Sequence, residues 1–304
     1  MINKSEILNR IHQIPPMPEI SRMILALVNN PRSSASDIVE LVRNDQALTA
    51  NVLKLCNSAY FGLRRKIDSL STAVVLIGHR HLVELVMISN CIHIFRGGHN
   101  GSMPAQNQLW MHSISTALLS QILLKRLGYP PDHAIYTAAL LHDVGKIVLH
   151  EHMGTKYGPV LDMATEQKVS YHSAERELLG TDHAEIGGYL MEAWNLPENI
   201  VDGIQSHHTP RSFFDPRDIS SIVNLCDLIC LKAGLGRDAL DSDKESLSKV
   251  VGTQLTTDFV DSCVEELSTE IEKFDMSVFG FRGQAFKPEQ TWPRTGEAER
   301  TRSH

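Results

Sequence analysis

The chain of 304 residues has no CxxC cysteine pair, no excess of basic charge and no long apolar run. Each lack removes a class of protein. The five cysteines (Cys56, Cys91, Cys226, Cys230 and Cys263) are odd in number, so they read as reduced, mostly buried small residues rather than a disulfide framework. Cys226 and Cys230, one helical turn apart, have a spacing a metal would also accept. No apolar stretch reaches the about 18–20 residues that span a bilayer, and the opening MINKSEILNRIHQIPP lacks the apolar core of a signal peptide. The expected location is cytoplasmic, without a membrane partner. A net charge of −7 argues against general nucleic-acid binding, which needs a concentrated basic surface. The short run Arg64-Arg65-Lys66 reads as a solvated loop. Strand alternation and internal repeats are missing too.

What is present is helical periodicity, and the expected fold class is all-α. After the breaker Ile14-Pro15-Pro16-Met17-Pro18, the residues Ile20, Ile24, Leu27 and Val28 follow one helix face. Ser34 and Asp45 read as helix caps. Ser71-Thr72 opens an apolar helix that ends at Gly78, and 79–95 forms another. Helices are then expected at 107–128, 132–150, 155–169, 172–180, 182–194, 197–208 and 216–233, followed by a pair at 243–253 and 256–274. The Gly/His/Asn/Ser/Pro stretch 97–104 reads as a linker. The expected organisation is a helical N-terminal part over 1–98 and a helical bundle over 105–235. C-terminal helices over 236–280 and a loose tail over 281–304 complete it.

The fifteen histidines are the informative excess. Five segments place imidazole or carboxylate on otherwise apolar helices: Trp110-Met111-His112, Leu140-Leu141-His142-Asp143-Val144-Gly145-Lys146, Thr181-Asp182-His183, Ser206-His207-His208 and Asn224-Leu225-Cys226-Asp227. An ionised Asp143 following the buried run Ala138–Leu141 faces a desolvation penalty of several kcal/mol unless a cation compensates it. Imidazole and carboxylate without thiolate suit iron, manganese, zinc or nickel, with iron or manganese favoured. Asp143 is the natural bridge between two divalent ions, since each oxygen can take one. On this reading His112, His142, Asp143 and Asp227 hold the first ion, and Asp143, His183, His207 and His208 hold the second. Two ions ~3.5–4 Å apart can clamp a phosphoryl group and activate a water. His207 and His208 can share an ion only near a helix end, because neighbouring helix positions diverge by about 100°, and Pro210 supplies that end. The remaining histidines (His12, His79, His81, His93, His99, His133, His150, His152, His172 and His304) read as core or surface residues.

Leu141-His-Asp-Val-Gly-Lys146, with His112 upstream and Asp227 downstream, resembles the HD superfamily of metal-dependent phosphohydrolases. Ile14-Pro-Pro-Met-Pro18, Asn57-Ser-Ala-Tyr-Phe-Gly62, Ile67–Gly78, Asp182-His-Ala-Glu-Ile-Gly187 and Trp194-Asn-Leu-Pro197 resemble the HDOD family, the HD-related output domains, over about residues 8–235. That resemblance implies an HD-type multi-helix bundle preceded by an N-terminal helical subdomain, and a bacterial signalling role. Many HDOD members have lost metal ligands, whereas the set here is similar to that of the bimetallic HD-GYP phosphodiesterases. The Gly-Tyr-Pro motif of those enzymes does not follow His207-His208, and Gly128-Tyr129-Pro130 reads as a helix-ending turn. Two functions are therefore expected to compete. One is a metal-binding signalling module with a protein partner. The other is a metal-dependent phosphohydrolase or phosphodiesterase acting on a phosphate-containing, nucleotide-like small molecule. In the second, Asp143 and Lys146 are the candidate catalytic residues, Lys146 stabilising phosphate charge or orienting the nucleophile. The other reading of Lys146 is a solvent-facing helix residue.

Overall fold

The computed structural model describes residues 19–28, 30, 32–57, 66–95, 106–211, 214–236 and 255–272. Among them every regular element is a helix. The expected breaker at 14–18, linker at 97–104, helix at 243–253 and tail at 281–304 lie outside the described residues. So do residues 58–62 of the first motif, Arg64, Arg65, His12, His99 and His304.

The N-terminal part begins with α1 (Glu19–Val28), α2 (Ala35–Arg43) and α3 (Gln46–Cys56). Both expected caps are formed. Ser34 accepts the Asp37 N–H while the Asp37 carboxylate accepts the Ser34 N–H, a reciprocal box. Asp45 accepts the Leu48 N–H. Asn57 then ties the end of α3 to Ile67. Its side chain donates to the Leu53 and Ile67 carbonyls and accepts the Ile67 N–H at 2.7–2.8 Å. α4 (Leu70–Phe95) is broken at Gly78, whose φ of 81° and ψ of 162° are non-helical, a conformation that favours glycine. Sequence alone gives the same break between two helices.

The stretch Leu70–Ser89 is the one span among the described residues that meets a membrane-crossing criterion by length and composition. The sequence expectation of no such run is corrected to that extent. Half of the span is buried inside the protein, and Gly78, Arg80 and Glu84 interrupt it.

The second part consists of α5 (Gln106–Arg126), α6 (His133–Leu141), α7 (Val144–Met153), a 3₁₀ turn (Gly154–Tyr157), α8 (Gly158–Gln167), α9 (Tyr171–Leu179), α10 (His183–Ala193), α11 (Glu198–Gln205), α12 (Ile219–Lys232) and α13 (Thr257–Glu272). α5 is buried along most of its length and packs on α6, α12 and α13. α10 packs on α7 and α11, and α11 on α6 and α12. α4 touches α5, α6 and α7, so one apolar core runs from Ile24 to Ile271. The turn Gly128-Tyr129-Pro130 ends α5, with the Tyr129 N–H donating to the Leu124 carbonyl.

Two expected helices end differently. The span 132–150 is two helices, because His142 closes α6 and Asp143 precedes α7. The helix expected to run to His208 stops at Gln205, which places His207 and His208 in the following turn.

Candidate metal centre

The helix ends explain where the polar side chains go. His142 and Asp143 sit at the α6–α7 break, His183 begins α10 behind its cap Asp182, and His207 and His208 follow α11. His112 projects from the first third of α5 and Asp227 from the second half of α12, away from their ends. All these ends converge, and His112, His142, Asp143, His183, His207 and Asp227 are each at most 3% exposed. His208 is half-buried.

The donor atoms form three overlapping groups, each within 4.8 Å: His112, His142 and Asp227; His142, Asp143 and His207; His183, His207 and His208. All seven sequence-derived ligand candidates are therefore brought together. They form one continuous cluster rather than two separate cups, since His142 and His207 also meet around Asp143. The two Asp143 oxygens face opposite ways. Oδ1 lies 3.3 Å from His183 Nε2, whereas Oδ2 lies 3.6 Å from His142 Nε2 and 3.8 Å from His112 Nε2. Asp227 Oδ1 lies 2.9 Å from His112 Nε2 and 3.8 Å from His142 Nε2.

The outer nitrogens fix the direction of the rings. His112 Nδ1 lies 2.8 Å from the Leu235 carbonyl, His142 Nδ1 2.8 Å from that of Ala139, and His207 Nδ1 2.7 Å from that of Ile204. A carbonyl oxygen only accepts, so each Nδ1 donates, and in a neutral ring Nε2 is left as a lone pair aimed inward. His183 differs. Its Nδ1 donates to a carboxylate, Glu175 Oε2, at 2.6 Å, and that oxygen also accepts the His183 backbone N–H at 2.8 Å. The other oxygen of Glu175 accepts the Tyr157 hydroxyl at 2.5 Å.

Three inward atoms, His142 Nε2, His207 Nε2 and Asp143 Oδ1, are buried without a hydrogen-bond partner. Leaving such groups unsatisfied is costly. An all-N/O donor set with orphaned lone pairs turned inward fits divalent transition-metal ions. The electrostatics are consistent with this. Burial opposes ionisation of Asp143, yet Lys146, His142, His183 and His112 hold its carboxyl well below the usual carboxylate range. Burial and the neighbouring rings of His142 and His183 pull His207 down to about 3, so it stays neutral. Burial likewise lowers His142 and His208. His112 and His183 are raised despite burial, the first by Asp227 and Asp143 and the second by Glu175 and Asp143.

Lys146 is not solvent-facing. Its side chain is 16% exposed and Nζ lies 2.9 Å from Asp143 Oδ2. Gly145 makes the closest approach in the site. A Cβ there would lie 1.9 Å from the His183 carbonyl oxygen, so α7 and α10 meet backbone to backbone. Cys226 and Cys230 are buried free thiols, raised by burial, and no metal-competent group among the described residues includes them.

Sequence reasoning missed Glu175, Tyr157 and His172. The His172 ring lies 4.4 Å from that of His208, and its Nε2 lies 3.4 Å from Asp182 Oδ2, which also pairs with Arg176. Glu175 lies in the charged run Glu175-Arg176-Glu177 within the helix expected over 172–180. Glu175 shares a face with buried Leu179, four residues on, the one signal that separates it from Glu177.

Comparison with known proteins places this architecture. The sequence model described as the HDOD domain matches residues 14–210. An uncharacterized protein of Treponema pallidum (strain Nichols) is 30% identical over 208 residues, 67% of this chain and 39% of that protein. The chain thus spans about two fifths of the length of that curated relative. The crystal structure of an HDOD domain protein of unknown function from Geobacter sulfurreducens is similar over 90% of this chain and 95% of its own, with 26% identity and a TM-score of 0.69. A candidate phosphohydrolase from Shewanella amazonensis SB2B superimposes with a TM-score of 0.65 over 90% of this chain and 95% of its own. At 24% identity, that likeness carries the fold alone.

Proposed function

Because the chain belongs to the HDOD domain family, we propose that it is a metal-binding signalling module holding two divalent transition-metal ions, iron or manganese ahead of zinc or nickel. The observation that carries this reading is the inward set of orphaned atoms, His142 Nε2, His207 Nε2 and Asp143 Oδ1, among rings pinned by their outer nitrogens. His112, His142, Asp143 and Asp227 would hold one ion, and Asp143, His183, His207 and His208 the other. When bound, such ions supply Lewis-acid charge to a phosphoryl oxygen and lower the pKa of a water. The chain's own residues mostly exclude water from that place. Six of the seven side chains here are almost fully shielded. This closure favours a module that senses or is stabilised by its ions and signals to a protein partner in the cytoplasm.

The second reading, a metal-dependent phosphohydrolase, is supported by one edge of the centre. There half-buried His208 stands beside His183 and the Lys146 ammonium beside Asp143, a pair of groups suited to the phosphate of a nucleotide-like molecule. One experiment separates the two. Elemental analysis of anaerobically purified protein should count two ions per chain, and fewer in Asp143→Ala. Full loading without turnover across a panel of nucleotides and phosphodiesters supports the module. Turnover that disappears in Asp143→Ala supports the hydrolase. A chain purified without any ion would refute both.

A further inference from the structure

Five histidines turn Nε2 into the centre; His208 Nδ1 has no hydrogen-bond partner among the described residues, and of the other four only one has a negative charge behind it. His112, His142 and His207 donate Nδ1–H to neutral backbone carbonyls. His183 donates to Glu175, a carboxylate with no exposed surface. Three donors hold that carboxylate in place: the His183 ring, the His183 backbone N–H at the start of α10, and the Tyr157 hydroxyl from the 3₁₀ turn. We infer that Glu175, anchored by Tyr157, is a positioning residue that fixes His183 and tunes one half of the centre, the half formed by His183, His207 and His208. The inference rests on the metal-binding reading above.

The physical reason is directional. A carboxylate that accepts Nδ1–H fixes the tautomer and draws on that proton, which makes Nε2 of the same ring a stronger donor than one backed by a carbonyl. His183 Nε2 faces both Asp143 Oδ1, at 3.3 Å, and His208 Nε2, at 2.8 Å. Turning the His183 ring would therefore disturb its half of the cluster. The half formed by His112, His142 and Asp227 relies on Leu235 and Ala139 for its alignment and makes no contact of this kind with Glu175.

The test uses cobalt(II) as the probe on the full chain. Wild-type protein should bind two equivalents, resolved by chelator competition. Glu175→Gln keeps the shape and removes the charge. It should weaken one equivalent about 10–100-fold and shift its visible absorption, leaving the other unchanged. Tyr157→Phe should weaken the same equivalent by a smaller factor. If Glu175→Gln does not fold, judged by circular dichroism of the metal-free chain, Tyr157→Phe carries the test alone. Two unchanged equivalents, or both weakened alike, would overturn the inference while leaving the metal reading intact. Failure of the wild type to take up cobalt would overturn both.

Discussion

A buried histidine is defined by what its second nitrogen touches. Half-buried His81 lies with Nδ1 2.8 Å from the Ile77 carbonyl and is part of no metal-competent group among the described residues. His142 makes the same short-range bond to Ala139, but its remaining nitrogen meets other imidazoles and carboxylates. Sequence distinguished these two through the adjoining Asp143 and the buried run before it. It did not distinguish His172, because the Asp182 and His208 that it meets lie ten and thirty-six positions away on other elements. Gly145 is the most sharply constrained residue. In Gly145→Ala the new methyl meets only backbone atoms of His183 and Gly187, which cannot rotate aside. We expect a loss at the upper end of the about 1–3 kcal/mol typical of overpacking, read from urea unfolding, together with a lowered metal content as His183 moves.

At the scale of elements, the caps and the break at Gly78 were legible, and the break at His142-Asp143 was not. Ser34 and Asp45 each cap a helix in the manner their side chains suggest, whereas Asp182, expected as the first residue of a helix, is the cap of α10. The break at His142-Asp143 was hidden because Val144, Ile147 and Val148 continue the apolar pattern of Ala138–Leu141, and all are buried. Periodicity reports which side is buried and not whether the axis is continuous. Asp132 starts α6 by accepting the Ala134 and Ile135 N–H groups, and its backbone is held by Gln121 of α5. Asp132→Ala should cost about 1 kcal/mol, measured by denaturant titration, and α6 should loosen at its first turn while His142 at its far end keeps its place.

At the scale of the whole molecule, two dependences are expected. Ions that bind only the folded chain stabilise it by mass action, about 4 kcal/mol for each site at 1,000 times its Kd. A chelator should therefore lower the Tm, and an unchanged Tm would count against the metal reading. The second dependence is on pH. Burial, His79 across the α4–α6 contact and Arg80 lower His133 below its ordinary value of 6.5, with Asp132 opposing them. A depressed imidazole binds its proton more readily in the unfolded chain, so this contribution is complete above pH 6.5 and is lost as the pH falls below it. The urea midpoint of the wild type should drop more between pH 7.5 and 5.5 than that of His133→Gln.

The near-complete shielding of six of the seven cluster side chains also bears on time. Among the described residues the ligand side chains are almost all shielded, so we expect escape of an ion seated there to follow the rate at which the α10 and α11 ends part from their neighbours. Isotope exchange should then be slow at temperatures where the fold is rigid and should quicken with mild denaturant. The ions would behave as long-term residents, and a signal written into their occupancy would outlast the event that wrote it.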